Sequence, residues 1–349
     1  MIRQVLPGSR KILTIAAVFA LATTMSACGT SAPPSEGTSS GPTPIRVGYP
    51  GPSINFQDIA LSIAQNKGFF KKNNVDVSIT NVNGEALVQQ SLISNKLDVG
   101  IGGNPVFFQG AASDSGLKIF LETAPLQQYL LMANKDVTSF NQAANKKVGI
   151  SSPGNISELL PLIDLRNHGI DINGIERIAV GGSGDRAKSL VSGTTQLSVI
   201  VLPYALTLAK GQDGITILDN LGESLKGFKF EAHVTSPSFL KAHRQALIAY
   251  STAMLQATQY VLDHKDETVS EYMSLVKGSV QADVEESYDM LIAGGGLDPR
   301  GGLSKADYET TAKALVEFKV LKKVQPYADI YDTSIRDEAL KSITAAPAN

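Results

Sequence analysis

The chain of 349 residues has one cysteine, Cys28, and no tryptophan. A single thiol cannot close an internal disulfide, and no His/Cys cluster accompanies it to hold a metal. Without tryptophan the largest stacking surface for an aromatic ligand is absent. No Walker lysine motif, no Gly-x-Ser-x-Gly elbow and no His-x-x-x-His pair occurs. Neither catalytic residues nor a metal or cofactor is therefore expected. Acids and bases nearly cancel, with a formal net charge of −2, so nothing electrostatic favours nucleic acid. Residues 1–27 carry Arg3, Arg10 and Lys11 and no acid; without them the charge is −5. A hydrophobic content of 43% against 18% charge describes a globular, core-forming chain.

The basic start is followed by an apolar stretch from Ile12 to Met25. This stretch is shorter than the ~20 residues that cross a bilayer. A basic segment, a short apolar segment and small residues before a cleavage point mark a signal peptide, here residues 1–27. The run Met25-Ser26-Ala27-Cys28 resembles a bacterial lipobox. The resemblance implies that Cys28 is lipidated and becomes the mature N-terminus, so that the protein sits at the cell membrane on its extracytoplasmic face. Residues 28–44 are mostly Gly, Ser, Thr, Ala and Pro, the composition of a flexible tether.

From Ile45 onward about 305 residues remain, enough for two lobes at ~100–200 residues per domain. Strand and helix alternate. Ile45–Tyr49, Val75–Ile79, the segment 96–101 and Leu117–Leu121 read as strands, with helices at Asn55–Lys67 and Glu85–Ser94 between them. The rhythm restarts with strands at Lys147–Ile150, Ile175–Val180 and Leu197–Val201. Such alternation predicts a mostly parallel sheet in each lobe, covered by helices. After Phe239 the pattern is helical, with a long helix over Arg244–Asp263 and further helices around 268–276, 282–291, 304–318 and 333–343. A helical tail without strands must pack on a lobe already built.

Ligands of open α/β sheets bind outside the carboxyl ends of the strands. Those ends carry Tyr49, Pro52 and Ser53, then Gly103 and Asn104, then Ser151, Ser152 and Asn155, and finally Gly182, Ser183 and Tyr204. Each group leads into a helix N-terminus, whose free N–H groups and positive dipole end hold acceptors or anions. Singly, such residues are ordinary caps and turns; their recurrence at every strand end in both lobes makes a cleft. Tyr49, Phe56 and Tyr204 are the candidate aromatic contacts. Gly181-Gly-Ser-Gly lacks the full dinucleotide spacing, because Ala187 stands at the last glycine position. Of the four histidines, His168, His243 and His264 belong to solvated helical surfaces. His233 lies in an alternating run with Glu231 two positions away on the same strand face.

Four segments together resemble a known family: Ile45-Arg-Val-Gly-Tyr49, Ala64-Gln-Asn-Lys-Gly-Phe-Phe70, Ser94-Asn-Lys-Leu-Asp-Val-Gly100 and Lys146-Lys-Val-Gly-Ile150. In that order the chain is similar to the periplasmic-binding-protein-like substrate-binding proteins of ABC importers, in the branch of nitrate, sulfonate, taurine and thiamine-pyrimidine binders. The resemblance covers Ile45 to about Ile343. It implies two lobes closing over a ligand, the first discontinuous (45–133 and 234–349) and the second over 134–233. The outward crossing is expected near Gln128–Asn134 and the return near Lys229–Thr235, with Glu122, Gln127 and His233 at the hinge and the helical tail on the first lobe. The implied function is capture of a small organic solute or oxyanion, sulfonate-like or pyrimidine-like, by a monomer that delivers it to an ABC permease and its ATPase. Two alternatives stand beside it: an enzyme resembling the pyrimidine-precursor synthases on the same scaffold, and a ligand-sensing lipoprotein. The chain departs from the pattern in showing no clear arginine at the predicted tips, since Arg186 and Lys188 fall just inside a helix.

Overall fold

The structure is a computed structural model that describes residues 41–113 and 115–345. Cys28, the expected signal segment and most of the expected tether lie outside the described residues. The first strand, β1, runs Thr43–Tyr49 and begins two residues before the expected start, inside the segment assigned to the tether. Thr43 and Pro44 are drawn into the sheet because they pair in register with Val75 and Asp76.

Among the described residues ten strands follow one another. After β1 come β2 (Val75–Asn81), β3 (Val99–Gly103), β4 (Lys118–Leu121) and β5 (Tyr129–Ala133). Then come β6 (Lys147–Ile150), β7 (Glu176–Ala179), β8 (Leu197–Val201), β9 (Thr216–Asn220) and β10 (Glu231–Thr235). They form two five-stranded sheets, ordered β2-β1-β3-β10-β4 and β7-β6-β8-β5-β9. In each sheet four strands run in one direction, and the strand next to the edge, which has crossed over from the other lobe, is antiparallel to them. The two crossover strands, β5 and β10, lie within the segments expected to cross, 128–134 and 229–235. β5 pairs with β8 and β9, so 129–133 belongs to the second lobe and the outward crossing occupies the loop between β4 and β5. β10 pairs with β3 and β4, so 231–233 belongs to the first lobe and the return precedes Glu231. The all-apolar interior of β5, fully buried on both faces, is what a central strand requires.

The helical tail packs on the first lobe. The helix Arg244–Asp263 lays Leu247, Ala253, Met254 and Ala257 into one core with Ile59, Ile63 and Ala64 of the helix Ile59–Asn66. Phe70 stacks on Tyr250 at 5.5 Å. The helix Thr333–Ala345 is tied to its start by Arg244–Glu338 at 2.5 Å. One tail helix, Gln281–Ala293, also reaches the second lobe: Lys210 Nζ meets Asp283 at 2.6 Å, and the Thr207 hydroxyl donates to the same carboxylate at 2.6 Å. The two crossing segments are held by the buried pair Lys229–Glu122 at 3.3 Å, with Tyr331 donating to Glu122 at 2.9 Å. Among the described residues no helix is long and apolar enough to cross a membrane.

Candidate ligand-binding cleft

The carboxyl ends of the parallel strands of both sheets open onto one cleft of about 460 Å³. From the first sheet it takes Tyr49, Pro52 and Gly103, and from the second Ser151, Ser152, Asn155, Gly182 and Ser183. All eight stand at strand ends predicted from sequence. Five other expected positions lie elsewhere. Phe56 is wholly buried and meets Tyr272 edge-on at 5.0 Å, so it is core. Asn104 is also wholly buried, its amide reaching Glu122 and the Glu231 carbonyl at 3.4 Å each. Gln127 binds the Phe228 carbonyl at 3.1 Å and joins the two crossing segments behind the cleft. Tyr204 opens the helix Tyr204–Gly211 and is 40% exposed, outside the lining. Ser53 is exposed and also outside it.

His233 does not reach the cleft either. It is buried, with Nδ1 2.9 Å from the Tyr250 hydroxyl and Nε2 2.7 Å from Glu231 Oε1. The expected sharing of a strand face is correct, yet His233 sits one layer behind. It positions Glu231, whose other oxygen accepts the Ala124 N–H at 3.0 Å.

Residues not foreseen from sequence complete the walls. Glu231 lies opposite Gly103, and Tyr129 opposite Val201. Both are first residues of the crossing strands, and an antiparallel strand brings its start to the edge where its parallel neighbours end. Asp58 and Gln57 come from the single turn Phe56–Asp58. The Tyr49 hydroxyl donates to Asp58 Oδ2 at 2.6 Å and accepts the Asn55 N–H at 2.9 Å. Asp58 Oδ1 and Gln57 Oε1 are buried with no hydrogen-bond partner within the protein. Burial holds the Asp58 carboxyl well above the usual carboxylate range, and the nearby Glu231 charge adds to the shift.

Glu85 begins the helix Glu85–Ile93. That helix lies close on β1 and β3 because Gly48 and Gly100 have no side chain. A Cβ on Gly100 would come within 2.6 Å of Val88, and one on Gly48 within 2.2 Å of Leu97, the residue that leads from this helix into β3. The close approach carries Glu85 into the cleft, where burial raises its carboxyl above the usual range. Asn155 donates to Glu85 across the cleft at 3.4 Å and caps its own helix by accepting the Ser157 N–H at 3.0 Å.

Arg186 is the cation that sequence placed inside a helix and away from the tips. It is buried, on the first turn of the helix Ser183–Val191, and it lines the cleft. Nε donates to the Val199 carbonyl at 3.0 Å, Nη1 to the Gly181 carbonyl at 3.0 Å and Nη2 to the Ser183 hydroxyl at 2.9 Å. A guanidinium has five donors, so two remain. Burial lowers its pKa from the ordinary value. Lys188, by contrast, is exposed beside Asp185. One wall of the cleft therefore presents acceptors and the other presents donors.

Residues 55–268 match the model of the family described as "NMT1/THI5 like". A provisionally named binding protein, YtlA of Bacillus subtilis (strain 168), is 22% identical over 284 residues, spanning 80% of this chain and 85% of that protein. Among solved structures, the periplasmic nitrate-binding protein NrtA from Synechocystis PCC 6803 superposes with a TM-score of 0.72 at 14% identity, over 87% of this chain and 90% of that one. The periplasmic aliphatic sulphonate binding protein SsuA from Escherichia coli gives 0.67 at 15% identity, over 84% and 93%. The desulfurization enzyme DSZB gives 0.62 at 14% identity, over 86% and 99%. Likeness at this level establishes the two-lobed periplasmic-binding-protein fold, and the fold alone.

Proposed function

Taking as premise that the chain belongs to the NMT1/THI5-like family, we propose that it is the extracytoplasmic solute-binding component of an ABC importer. It holds a small solute between its lobes and passes it to a membrane permease, tethered to the membrane through lipidated Cys28. The observation that carries this reading is the polarity of the cleft. Asp58 Oδ1 and Gln57 Oε1 are buried acceptors without partners within the protein, Glu85 lines the same cleft, and Arg186, with two donors unused, lines it from the other lobe.

An unpaired buried acceptor costs about 1–3 kcal/mol, a cost that a ligand with N–H or O–H donors removes. The solute therefore carries donors at one end and an acceptor at the other. Of the two classes expected from sequence, an aminopyrimidine-like heterocycle satisfies both walls. A sulfonate group has acceptors only and would leave the acceptors of Gln57 and Glu85 without a donor. His233, which lies beside Glu231, is buried and walled off from solute, which supports binding without turnover.

The test is calorimetry and thermal melting with a panel of aminopyrimidines, alkanesulfonates, nitrate and small carboxylates. At ~100 times its dissociation constant, a ligand specific for the folded state adds about 2.7 kcal/mol of stability. An aminopyrimidine is expected to give the largest shift. Tighter binding of a sulfonate would overturn the ligand class, and product formation from any panel member would overturn the non-catalytic reading.

A further inference from the structure

Away from the cleft, the second lobe brings together three groups that capture of a solute does not use. Asp164 lies on the helix Ile156–Asn167 and is wholly buried. Neither of its carboxylate oxygens makes a well-formed hydrogen bond within the protein, although the Ser224 hydroxyl stands near enough to favour its charged form. His168 follows one turn later, at the C-cap, with Nδ1 3.6 Å from Asp164 Oδ1. Its ring lies flat against Phe140, 3.6 Å between centroids and 6° from parallel, which fixes the plane of the ring. Asp219 on β9 supplies a second carboxylate, and one donor atom from each of the three residues lies within 4.8 Å of the others.

A buried carboxylate poorly served by donors is expensive unless something neutralises it. A second carboxylate beside it raises that cost. We propose that Asp164, His168 and Asp219 form a divalent-cation site of the Zn²⁺ class that pins the edge strand β9 to the helix Ile156–Asn167. The donor chemistry fits: imidazole and carboxylate both ligate Zn²⁺ at about 2.0–2.2 Å, which sets donor atoms about 3.3 Å apart in a tetrahedron. The His168–Asp164 separation is already close to that. His168 is 37% exposed on its side chain, so the site opens to solvent and a water can complete it. Without metal, Nδ1 sits 3.0 Å from the Asp164 carbonyl and can donate to it. Metal binding moves the ring proton to Nε2 and uses the Nδ1 lone pair, and any proton on the carboxyl pair is released to solvent. The site is separate from the cleft. None of its residues lines it, and nine residues of helix put Asp164 about 14 Å from the capping Asn155 along the axis.

The other available neutraliser is a proton. Burial and the Asp219 charge push the Asp164 carboxyl up to about 7, so the experiment must separate the two. The purified full chain is stripped with a chelator, dialysed, and titrated with ZnCl₂ by calorimetry, with melting followed in parallel. One saturable equivalent of Zn²⁺ and a melting rise of several degrees are expected. Asp164→Asn and His168→Ala should each weaken Zn²⁺ binding at least tenfold, while affinity for a cleft solute stays within twofold. The His168 variant changes an exposed side chain, so it remains informative if the Asp164 variant misfolds. Absence of saturable Zn²⁺ binding by the stripped wild type overturns the proposal, as does binding that both variants retain. Stabilisation of the metal-free protein by Asp164→Asn, with no Zn²⁺ response in the wild type, would assign the neutralising role to a proton instead.

Discussion

The two sheets have the same strand order and opposite chemistry. Each places one antiparallel strand, borrowed across the crossing, between its third parallel strand and an edge strand. The first sheet turns carboxylates and an amide oxygen to the cleft: Asp58, Gln57, Glu85 and Glu231. The second turns hydroxyls, a guanidinium and a helix N-terminus capped only by Gly182. A repeated topology thus builds two walls that recognise opposite ends of one solute. The difference also shows in support. The first wall is backed by the helical tail and by the His233–Tyr250 bond, whereas Arg186 of the second wall is braced by its own lobe's backbone.

The comparison can be broken at the core, at the second wall, at the first wall and at the rim. Removing a core ring should give the largest effect. Phe56→Ala should cost about 3–5 kcal/mol by chemical denaturation, with solute affinity of the folded fraction unchanged. A tenfold loss of affinity in fully folded protein would make Phe56 part of the site. Arg186→Met removes the hydrogen bonds to the buried Val199 carbonyl and the half-buried Gly181 carbonyl and should cost about 2–3 kcal/mol of stability. It should also weaken solute binding about a hundredfold, at the upper end for a charged hydrogen bond. If stability falls and affinity does not, the second wall is scaffold and the donor wall is elsewhere.

Glu85→Gln keeps the shape and removes the charge, and should weaken solute binding about tenfold, near 1.4 kcal/mol. Its pH signature has a definite sign. Burial raises the folded carboxyl above its unfolded value, so the folded state binds the proton more tightly. The stability of the ligand-free protein therefore falls as pH rises from about 4 through the folded value. The variant should show a shallower fall in melting temperature over that range, with the Asp58 contribution of the same sign remaining. A slope identical to wild type would mean that Glu85 is not desolvated. Tyr204→Ala, at an exposed position outside the lining, should change stability by less than about 0.5 kcal/mol and affinity by less than twofold in the same assays. A larger loss would extend the second wall to its rim.

Much of the fold was legible because local signals agree with the global arrangement. Lys147–Ile150 and Arg244–Asp263 form the expected elements at the expected bounds, each with the period its packing needs. β5 and β9 were not read as strands of the second sheet. β5 is a uniformly apolar run without alternation, and whether such a run pairs forward or back depends on partners far along the chain. In the cleft, residues at the ends of parallel strands were found, since the chain direction itself points them there. Glu231 and Tyr129 were missed because they begin strands, and a strand's start reaches that edge only when it runs antiparallel. Glu85 was missed because its place depends on Gly48 and Gly100 letting a helix approach. Phe56, Asn104 and His233 share a strand or turn with lining residues but point into the core.

Sequence by itself determined the alternation of strands and helices, the Gly, Ser and Asn turns at strand ends, and the strandless tail. These follow from periodicity, capping and backbone freedom, which act over a few residues. Tertiary structure alone decided which lobe each crossing strand joins, which wall receives acceptors and which donors, and that Asp219 meets the Asp164–His168 pair. Those outcomes depend on pairing, burial and charge between segments separated by tens of residues, and no local pattern encodes the direction in which a strand returns.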